Sequence, residues 1–584
     1  MTEAASSATP GPPATAKPAP PWLGVYPEGV DWHRRFDARP VHELLDQAVA
    51  RFPANVCTYF LGQTMTYAEI GKAVDMAAAG LQRLGVKKGV KVGLFLPNCP
   101  TFVVAYYAVL KVGGTVVNFN PLYSIPELEH QVRDSGTSLM VTLDLKLLLG
   151  KVEALLAGGS LERAVVASFA SLLPRLKSAL FRLTRWQEIA TVAASPQRAK
   201  IVLQAELMAG GGTPAPVAID PEQDLAVLQY TGGTTGTPKG AMLTHANVFI
   251  NVQQVSAWAG DGLGTGSETM MGILPFFHVF GMTVVLNFGV QRAARIILMP
   301  RFDMKQAIGL MASQKPSILP GVPTLFNAIL NNKLAQKSDL KSLKWCFSGG
   351  APLPLEVKRG FESMTGAVLI EGYGLSETSP VATGNPPKGP VKEGSIGLPL
   401  PATYVSIRAL DDPTREMPIG EKGEVCLAGP QVMRGYWNQP QETADSFVGG
   451  GLGGRYFRTG DIGHMDADGF TYISDRLKEM INASGFKVYP RRVEEALYQH
   501  PAVEEAVVIG IPDPYRGEAP KAFVKLREGK TASADEIIAF LEPLLSKIEL
   551  PEAVEFRDSL PKTAVGKLSK KELKAEEAAK QGKG

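Results

Sequence analysis

A loop rich in glycine and threonine is the strongest chemical signal in the sequence. Residues 230–240 (YTGGTTGTPKG) directly follow the strand-like run LAVLQ. Glycine lets backbone N–H groups turn inward on an anion, the four threonines add hydroxyl donors, and Lys239 adds a positive charge. The loop does not match GxxxxGK[ST], because Pro238 stands where a helix would already have begun. A flexible glycine turn would need neither the threonines nor the lysine, so the loop predicts a phosphate-binding site.

Seven blocks of the sequence follow one another in a characteristic order. They are YTGGTTGTPKGAMLTH (230–245), LPFFHVFG (274–281), SGGAPL (348–353), EGYGLSETSP (371–380), YFRTGD (456–461), DRLKEMINASGFKVYP (475–490) and PKTAVGK (561–567). Together and in this order, these blocks resemble the acyl-adenylate-forming superfamily, which contains acyl-CoA synthetases, beetle luciferases and the adenylation domains of peptide synthetases. The resemblance covers about residues 31–573. It is closest to bacterial long-chain fatty-acyl-CoA synthetases, which share the double-glycine form of the phosphate loop.

The resemblance implies an AMP-forming ligase with ATP, Mg²⁺ and coenzyme A as cofactors and a fatty acid as substrate. In the first half-reaction the acid carboxylate attacks the α-phosphorus of ATP, which releases pyrophosphate and leaves acyl-AMP. In the second, the coenzyme A thiol attacks the acyl carbon and AMP leaves. By resemblance, Lys567, His278 and Glu377 are catalytic, and Thr231 and Glu377 hold the metal ion.

The resemblance also assigns residues that bind the nucleotide and coenzyme A. They are, for the phosphate loop, Thr231, Gly232, Gly233, Thr234, Thr235, Gly236 and Lys239; for the adenine and metal segments, Gly349, Gly350, Ala351, Glu371, Gly372, Tyr373, Gly374 and Ser376; for the ribose, Asp461 and Arg476; for the hinge, Lys478; and for the thiol path, Ser484, Gly485 and Lys487. Two positions depart from the family pattern: Ser376 replaces the commoner threonine, and Arg491-Arg492 stand where an acidic residue is usual.

Physical chemistry supports the individual roles unequally. A carboxylate at Glu377 suits Mg²⁺, although a lone glutamate is more often a solvated surface residue. Asp461 suits both ribose hydroxyls, whereas Arg476 fits either a ribose or phosphate contact or an interface salt bridge. A histidine between apolar residues, as His278 is, usually belongs to the core. Lys567 is one of several C-terminal lysines, and only the match of its loop singles it out to offset charge in the transition state.

The elements that must position these residues follow an alternating pattern. Short β-rich apolar runs, such as 91–96 and 115–119, alternate with helical patterns, such as 101–110 and 126–135. This alternation predicts βαβ units in parallel or mixed sheets covered by helices. We therefore predict an α/β fold with a large N-terminal domain, a small β-barrel-like subdomain and a small, mobile α+β C-terminal domain.

Changes of composition along the chain predict the domain boundaries. We expect a disordered Ala/Pro-rich tail at 1–30 and a charged tail at 571–584. Between them, the N-terminal AMP-binding and acyl-substrate domain covers 31–474 and includes the β-rich subdomain at 391–474. The C-terminal lid domain covers 475–570, with the hinge at 475–478.

The overall composition excludes several classes of protein. The 584 residues are 45% hydrophobic and 20% charged, which excludes a disordered or fibrous chain. A net charge of +3 argues against a nucleic-acid partner. The four cysteines are widely separated, which indicates a reducing compartment and argues against a zinc ribbon. We find no export signal or membrane span and expect a cytoplasmic protein. Peripheral contact with the inner face of the membrane and a homodimer are further options.

One segment, residues 172–186 (LLPRLKSALFRLTRW), predicts an amphipathic helix. Its leucines fall on one helical arc, and four basic residues fall outside that arc. Such a helix either rests on an anionic bilayer surface or docks its leucines on the protein body.

The acyl substrate is predicted from two apolar segments, 282–290 and 321–330, which contain neither Lys nor Arg. A second carboxylate would need a buried cation, so a monocarboxylic fatty chain is the preferred interpretation. The string GVPTLFNAIL (321–330) resembles long-chain synthetases, which favours a long chain. The run 26–53 instead resembles bacterial ligases for medium-chain or dicarboxylic acids, which makes such an acid the alternative. A ligase that loads a carrier protein would share the ATP motifs, and it remains a second alternative.

Overall fold

The structure is a computed structural model that describes residues 19–231, 238–484 and 486–581, without the side chains of Asp261 and Gln581. The strands, numbered in chain order, are β1 Val56–Phe60, β2 Gln63–Thr66, β3 Lys91–Leu94, β4 Thr115–Asn118, β5 Leu139–Leu143, β6 Arg163–Ala167, β7 Ile201–Leu203, β8 Leu225–Thr231, β9 Lys239–Thr244, β10 Thr269–Gly272, β11 Arg295–Leu298, β12 Ile318–Gly321, β13 Trp345–Ser348, β14 Val368–Gly374, β15 Val381–Gly384, β16 Leu398–Pro399, β17 Tyr404–Arg408, β18 Gly423–Ala428, β19 Phe447–Gly449, β20 Arg455–Met465, β21 Thr471–Arg476, β22 Ile481–Ala483, β23 Phe486–Val488, β24 Val503–Asp513, β25 Gly517–Leu526 and β26 Ala553–Phe556.

The α-helices, also numbered in chain order, are α1 Glu43–Arg51, α2 Tyr67–Arg83, α3 Pro100–Lys111, α4 Ile125–Ser135, α5 Lys146–Ala157, α6 Arg175–Thr184, α7 Gln204–Ala209, α8 His245–Ala259, α9 Phe288–Gln291, α10 Met304–Gln314, α11 Pro323–Leu330, α12 Lys333–Gln336, α13 Leu355–Thr365, α14 Pro440–Asp445, α15 Pro490–Tyr498, α16 Ala534–Leu541 and α17 Lys570–Gln581. A π-helical segment, Gly281–Asn287, precedes α9. Several helices begin where the sequence offers a cap; Thr66 and Glu69, for example, form a capping box at the start of α2.

Two large sheets form the N-terminal body. The first has the order β7-β6-β5-β3-β4-β8-β9 and is parallel except for the β8–β9 hairpin. The second has the order β16-β15-β14-β13-β12-β10-β11-β1-β2, with a parallel centre and antiparallel edges. Central strands such as β4 and β5 are buried along their whole length, as expected of parallel strands covered by helices on both faces. The predicted α/β fold class is confirmed.

The predicted β-rich subdomain is an antiparallel sheet in which β20 pairs with β18, β19 and β21. β17 pairs with β18 at one edge. Within the described residues the pairings do not return to the first strand, so the sheet is branched and open rather than a closed barrel.

The C-terminal part has its own sheet, β23-β22-β25-β24 with β26 beside β25, and its own apolar core. The core of the preceding body runs from Trp22 to Phe470. This separation supports the predicted boundary at 475–478, which remains a proposal. At that boundary Arg491 is mostly buried, its backbone N–H donates to Asp475 over 3.0 Å, and its side chain pairs with Glu495.

Both predicted tails contain helical structure where the structure describes them. Pro21–Val25 forms a 3₁₀ helix, and Trp22 is buried with its ring centroid 5.7 Å from that of Trp32. At the other end, residues 570–581 form α17, and Leu573 is buried against the C-terminal core. Single apolar side chains therefore anchor both segments; residues 1–18 and 582–584 lie outside the described residues. Over the described part of the chain, no helix has both the length and the hydropathy needed to cross a bilayer.

Candidate active site

The carboxyl ends of three neighbouring parallel strands form the floor of the candidate site. β12 and β13 end side by side, with Gly321 opposite Ser348, and Ser348 lies opposite Glu371 of β14, which continues to Gly374. The N–H of Gly349 donates to the carbonyl of Gly321 over 3.2 Å. Ligands bind in α/β proteins at such strand ends, because the loops that leave them face the same crevice.

Lys567 reaches this floor from the C-terminal part of the chain. Its loop is closed by two backbone hydrogen bonds, from Thr563 N–H to the Lys567 carbonyl over 2.7 Å and from Gly566 N–H to the Thr563 carbonyl over 2.8 Å. The loop is held to the N-terminal body by the Thr324 hydroxyl, which donates to the Gly566 carbonyl over 2.6 Å. Burial and then the positive charge of Arg476 lower the pKa of Lys567 to about 8.

His278 lies close enough to Lys567 to feel its charge. Burial, reinforced by that charge, lowers the pKa of His278 to about 3, so the imidazole is neutral at physiological pH. Its Nδ1 accepts the N–H of Phe280 over 3.2 Å, which leaves the proton of the neutral ring on Nε2. A neutral donor beside a lysine ammonium is suited to an anionic substrate group.

The absence of a side chain at Gly350 leaves room for Lys567. We expect Gly350→Ala to slow the first half-reaction that the resemblance implies, acyl-AMP formation, by about 10²-fold, which is the usual effect of moving a reacting group by about 1 Å. An added Cβ would lie 2.4 Å from Lys567 Cε and 2.8 Å from Nζ. Single-turnover formation of acyl-AMP measures the effect. Gly366→Ala is the matched control, because Gly366 has a similar φ of +75° against +85° at Gly350, and a Cβ there meets nothing within 4 Å. Equal losses in both variants would contradict the steric explanation.

Asp461 stands at the centre of a second group of side chains. It is almost fully buried on β20, and it accepts the Tyr373 hydroxyl over 2.5 Å and Arg476 Nε over 3.1 Å. Asp461 and Arg476 face each other in the register of β20 and β21. Tyr373 therefore fixes the carboxylate that the resemblance assigns to the ribose.

Glu377 is buried, and its surroundings suit a cation. Its Oε1 accepts the Tyr436 hydroxyl over 2.7 Å, and its backbone carbonyl accepts Met433 N–H over 2.7 Å. Burial raises the pKa of its carboxyl group, and the Tyr436 bond opposes that shift in part. Thr231 ends β8, which contacts the turn that carries Glu377.

The donor set fits a metal ion that is shared with a phosphate substrate. The described residues contain no group of three or more His, Cys, Asp or Glu that could hold a metal ion. Mg²⁺ is commonly bound by one or two protein oxygens, with phosphate and water completing its octahedron. A buried carboxylate at Glu377 and a hydroxyl at Thr231 meet that requirement.

Lys239 begins β9 and pairs with the carboxylate of Glu442 on α14, with its ammonium 5.2 Å from the Tyr436 ring centroid. The hydrogen bond and charge of Lys239 lower the pKa of Glu442, and the charge of Lys478 lowers it further. The lysine of the phosphate loop and the predicted hinge residue thus share one acidic neighbour. Neither Glu442 nor Tyr436 was identified from the sequence, because the string GYWNQPQET carries no recognisable chemical spacing.

Several of the remaining predicted residues lie around the strand ends. The Glu371 carboxylate accepts Leu353 N–H over 3.1 Å, and burial raises its pKa to about 7. Gly372 of β14 lies opposite Gly384 of β15. Gly374 has no room for a side chain, since a Cβ would lie 1.8 Å from the Pro380 carbonyl. Ala351 and Ser376 lie in the turns that follow β13 and β14.

The structure does not bring the predicted thiol segment to the site. Lys487 is exposed on the β22–β23 hairpin, which belongs to the C-terminal sheet, and Phe486 beside it is 65% exposed. Ser484 N–H donates to the backbone carbonyl of Arg516, also in the C-terminal part of the chain, over 2.7 Å. Gly232, Gly233, Thr234, Thr235, Gly236 and Gly485 lie outside the described residues.

Comparisons with known proteins identify the class of protein to which this fold and site belong. The family described as AMP-binding enzyme matches residues 45–437, and the AMP-binding enzyme C-terminal domain matches residues 492–567. The chain therefore belongs to the AMP-binding enzyme family, and the predicted membership of the acyl-adenylate-forming superfamily is confirmed.

Individual relatives and solved structures similar to this chain include CoA ligases. The chain is 43% identical to a long-chain-fatty-acid–CoA ligase of Bacillus subtilis (strain 168), over 95% of this chain and 98% of the relative. It is 36% identical to the enzyme of the same name from Escherichia coli O157:H7, over 96% and 98%. Among solved structures, the anthranilate CoA ligase AuaEII in complex with anthranoyl-AMP has a TM-score of 0.80 at 25% identity, covering 93% of this chain and 98% of that one. ATP-bound MatB from Rhodopseudomonas palustris has a TM-score of 0.78 at 27% identity, covering 92% and 98%.

Proposed function

We propose that this chain is an AMP-forming long-chain fatty acid–CoA ligase that converts a fatty acid, ATP and coenzyme A into acyl-CoA, AMP and pyrophosphate. The observation that carries the proposal is the meeting of Lys567, from the C-terminal part, with Gly350 and His278 of the N-terminal body. Full-length relatives at 36–43% identity are long-chain-fatty-acid–CoA ligases. The product would supply fatty-acid degradation or lipid metabolism.

In the first half-reaction, a carboxylate oxygen forms a bond to the α-phosphorus of ATP as the bond to pyrophosphate breaks. Lys567 donates from its ammonium to the oxygens that gain charge, and neutral His278 donates to the entering carboxylate. Asp461 accepts the ribose hydroxyls, and Lys239 exchanges Glu442 for a phosphate group. Glu377 and Thr231 would hold Mg²⁺, which offsets phosphate charge when bound.

In the second half-reaction, the coenzyme A sulfur bonds to the acyl carbon, AMP leaves with the electron pair of the broken C–O bond, and the thiol proton is released. Lys567 occupies the site in this structure, whereas Ser484 and Lys487 lie on the surface of the C-terminal part. We infer that rotation near Lys478 removes Lys567 and brings the 484–487 hairpin to the site.

The charge state of Lys567 predicts a pH dependence. Burial lowers the pKa of Lys567 to about 8, so the ammonium needed for acyl-AMP formation is lost as pH rises through that value. We expect the single-turnover rate of acyl-AMP formation to fall about tenfold per pH unit above pH 8. Stopped-flow pyrophosphate release from pH 6.5 to 10 measures this fall in rate. Thioester formation from preformed acyl-AMP is the control, and its rate should not fall above pH 8. If neither half-reaction slowed above pH 8, the role of the Lys567 ammonium would be contradicted.

The long-chain preference rests on the apolar walls. Residues 282–286, in the π-helical segment, are buried, as are Val322, Leu325 and Phe326 at the other wall. A medium-chain or dicarboxylic acid and transfer to a carrier protein are the alternatives to be tested. The two wall segments, 282–290 and 321–330, contain no lysine or arginine that could hold a second carboxylate.

The experiment that tests the proposed function measures acid-dependent pyrophosphate release and identifies the product by mass spectrometry. The acids are C6–C18 monoacids and C7–C10 diacids, each with and without coenzyme A. Acyl-CoA formed fastest from long monoacids supports the proposal. Acyl-AMP that accumulates without thioester indicates a carrier-protein acceptor, and preferred turnover of diacids overturns the substrate assignment.

The cellular setting also belongs to the proposal. We infer a cytoplasmic enzyme that meets small-molecule substrates and no nucleic acid, with peripheral membrane contact through residues 172–186. Mass photometry at nanomolar concentration distinguishes a monomer from the predicted homodimer.

A further inference from the structure

Helix α6 and the residue pair that follows it expose an unusual amount of apolar surface. The exposed fractions are 83% for Leu176, 57% for Leu180, 77% for Leu183 and 63% for Trp186. Exposed leucines scattered singly are ordinary, but these four side chains lie within eleven consecutive residues. Of the predicted stripe, Leu172 and Leu173 pack against the protein body, whereas Leu176, Leu180 and Leu183 remain exposed.

The helix is attached to the body through a different face. The Phe181 ring lies 5.1 Å from that of Phe169, which in turn lies 6.1 Å from Phe60 in β1. Lys177 Nζ donates to the Leu61 carbonyl over 2.8 Å. At about 100° per residue, the three leucines of α6 span an arc of about 60°, and Phe181 lies about 130° from the centre of that arc. Docking therefore leaves the leucine stripe pointing away from the body.

A neighbouring element extends the apolar surface. Leu145 and Ile189 form an antiparallel bridge, and Ala190 N–H donates to the Asp144 carbonyl over 2.7 Å. These contacts place the segment after Trp186 beside the first turn of α5, where Leu147 is 69% exposed. A further exposed leucine therefore lies beside the segment that follows Trp186.

The charges of the segment that carries the exposed leucines are predominantly positive. Arg175, Lys177, Arg182 and Arg185 lie between residues 171 and 187, and this stretch contains no Asp or Glu. The nearest acidic residue, Glu188, pairs with Arg185 over 2.8 Å. A basic surface with a leucine and tryptophan stripe complements anionic headgroups above an acyl layer. The ten residues of α6 are too few to span a bilayer, so the helix must lie in its plane.

We propose that α6, Trp186 and Leu147 form a membrane-docking surface that binds an anionic lipid bilayer. The leucines and Trp186 insert at the boundary between headgroups and acyl chains, and Arg175 and Arg182 contact lipid phosphates. This inference concerns where the protein resides and does not depend on which acid it activates.

Liposome flotation of the full-length protein tests the proposal. We expect the wild type to float with vesicles of phosphatidylcholine containing about 30% phosphatidylglycerol at least tenfold more than with phosphatidylcholine alone, and 0.5 M NaCl to reduce this binding. The variant Leu176→Ser/Leu180→Ser/Leu183→Ser should lose most of the binding. The matched control Ile419→Ser/Leu452→Ser replaces leucine and isoleucine side chains that are 47–53% exposed elsewhere, and it should float like the wild type.

Two further readouts make the test decisive. Quenching of Trp186 by bromolipids should disappear in Trp186→Phe, and thermal unfolding should show that the triple variant is folded. Equal flotation of the wild type and triple variant would overturn the proposal, as would no flotation of the wild type with anionic vesicles. A wild-type dimer that the triple variant loses, without lipid binding, would assign the stripe to a second copy of the chain and also overturn it.

Discussion

Lys567→Ala is expected to reduce acyl-AMP formation by about 10²–10³-fold, the usual effect of removing one preorganised donor from a developing anion. Lys567 lies against Gly350, close to His278, and the loop that carries it is held by Thr324. No water molecule can restore a fixed ammonium at that position, since the rest of the loop stays bound to the body. Single-turnover pyrophosphate release with a saturating fatty acid measures the loss.

The same variant should retain the second half-reaction, because Lys567 must leave the site before the thiol enters. Thioester formation from synthetic acyl-AMP and coenzyme A is the measurement. Lys571→Ala serves as the control, since it removes an exposed lysine four residues further on and should leave both halves unchanged. A Lys567→Ala variant that loses both half-reactions equally would contradict the proposed division of labour.

Asp461→Ala is expected to reduce kcat/KM for ATP by about 10²–10⁴-fold. Two hydrogen bonds from ribose hydroxyls to a carboxylate, each worth about 1.5–3 kcal/mol, account for this range. The carboxylate is nearly buried and is already oriented by Tyr373 and Arg476, so little of the binding free energy is spent on ordering it. Asp461→Asn, which keeps one acceptor, should give an intermediate loss.

Ribose analogues make this test specific. The wild type should discriminate against 2′-deoxy-ATP and 3′-deoxy-ATP, and Asp461→Ala should discriminate against neither. Asp466→Asn is the matched control, because Asp466 follows the same strand and pairs with Lys392 over 2.6 Å outside the site. If Asp461→Ala kept the wild-type preference for ATP over its deoxy analogues, Asp461 would not be the ribose acceptor.

Local sequence patterns predicted much of the fold. The expected strand at 91–96 is Lys91–Leu94, and the helix at 126–135 is Ile125–Ser135, which has Pro126 in its first turn and a capping box at Ser124. Such elements are determined by periodicity and capping within a few residues, so a single sequence is sufficient to find them. The order of strands in the two large sheets depends instead on long-range packing and was not predicted.

The candidate site likewise combines residues that sequence motifs identified with contacts that only the fold creates. The loop of Lys567 was identified by its match to a family motif, but its contact with Gly350 joins residues more than two hundred positions apart. Tyr436 and Glu442 escaped detection because a tyrosine and a glutamate have no distinctive spacing until the fold places them beside Glu377 and Lys239. The open β-sheet and the anchored tails likewise depend on individual pairings and apolar contacts rather than on composition.

The bond between Thr324 and the Gly566 carbonyl has a consequence for substrate choice. Thr324 lies in α11, whose buried residues also form one of the proposed walls for the acyl chain. An acid that shifts α11 therefore also shifts the docking of the catalytic loop. Acids of unsuitable length would then be rejected through slow turnover of the bound acid, in kcat, even where their affinity equals that of the preferred chain. Selectivity in this enzyme would be kinetic, exercised after binding by the closure of its own machinery.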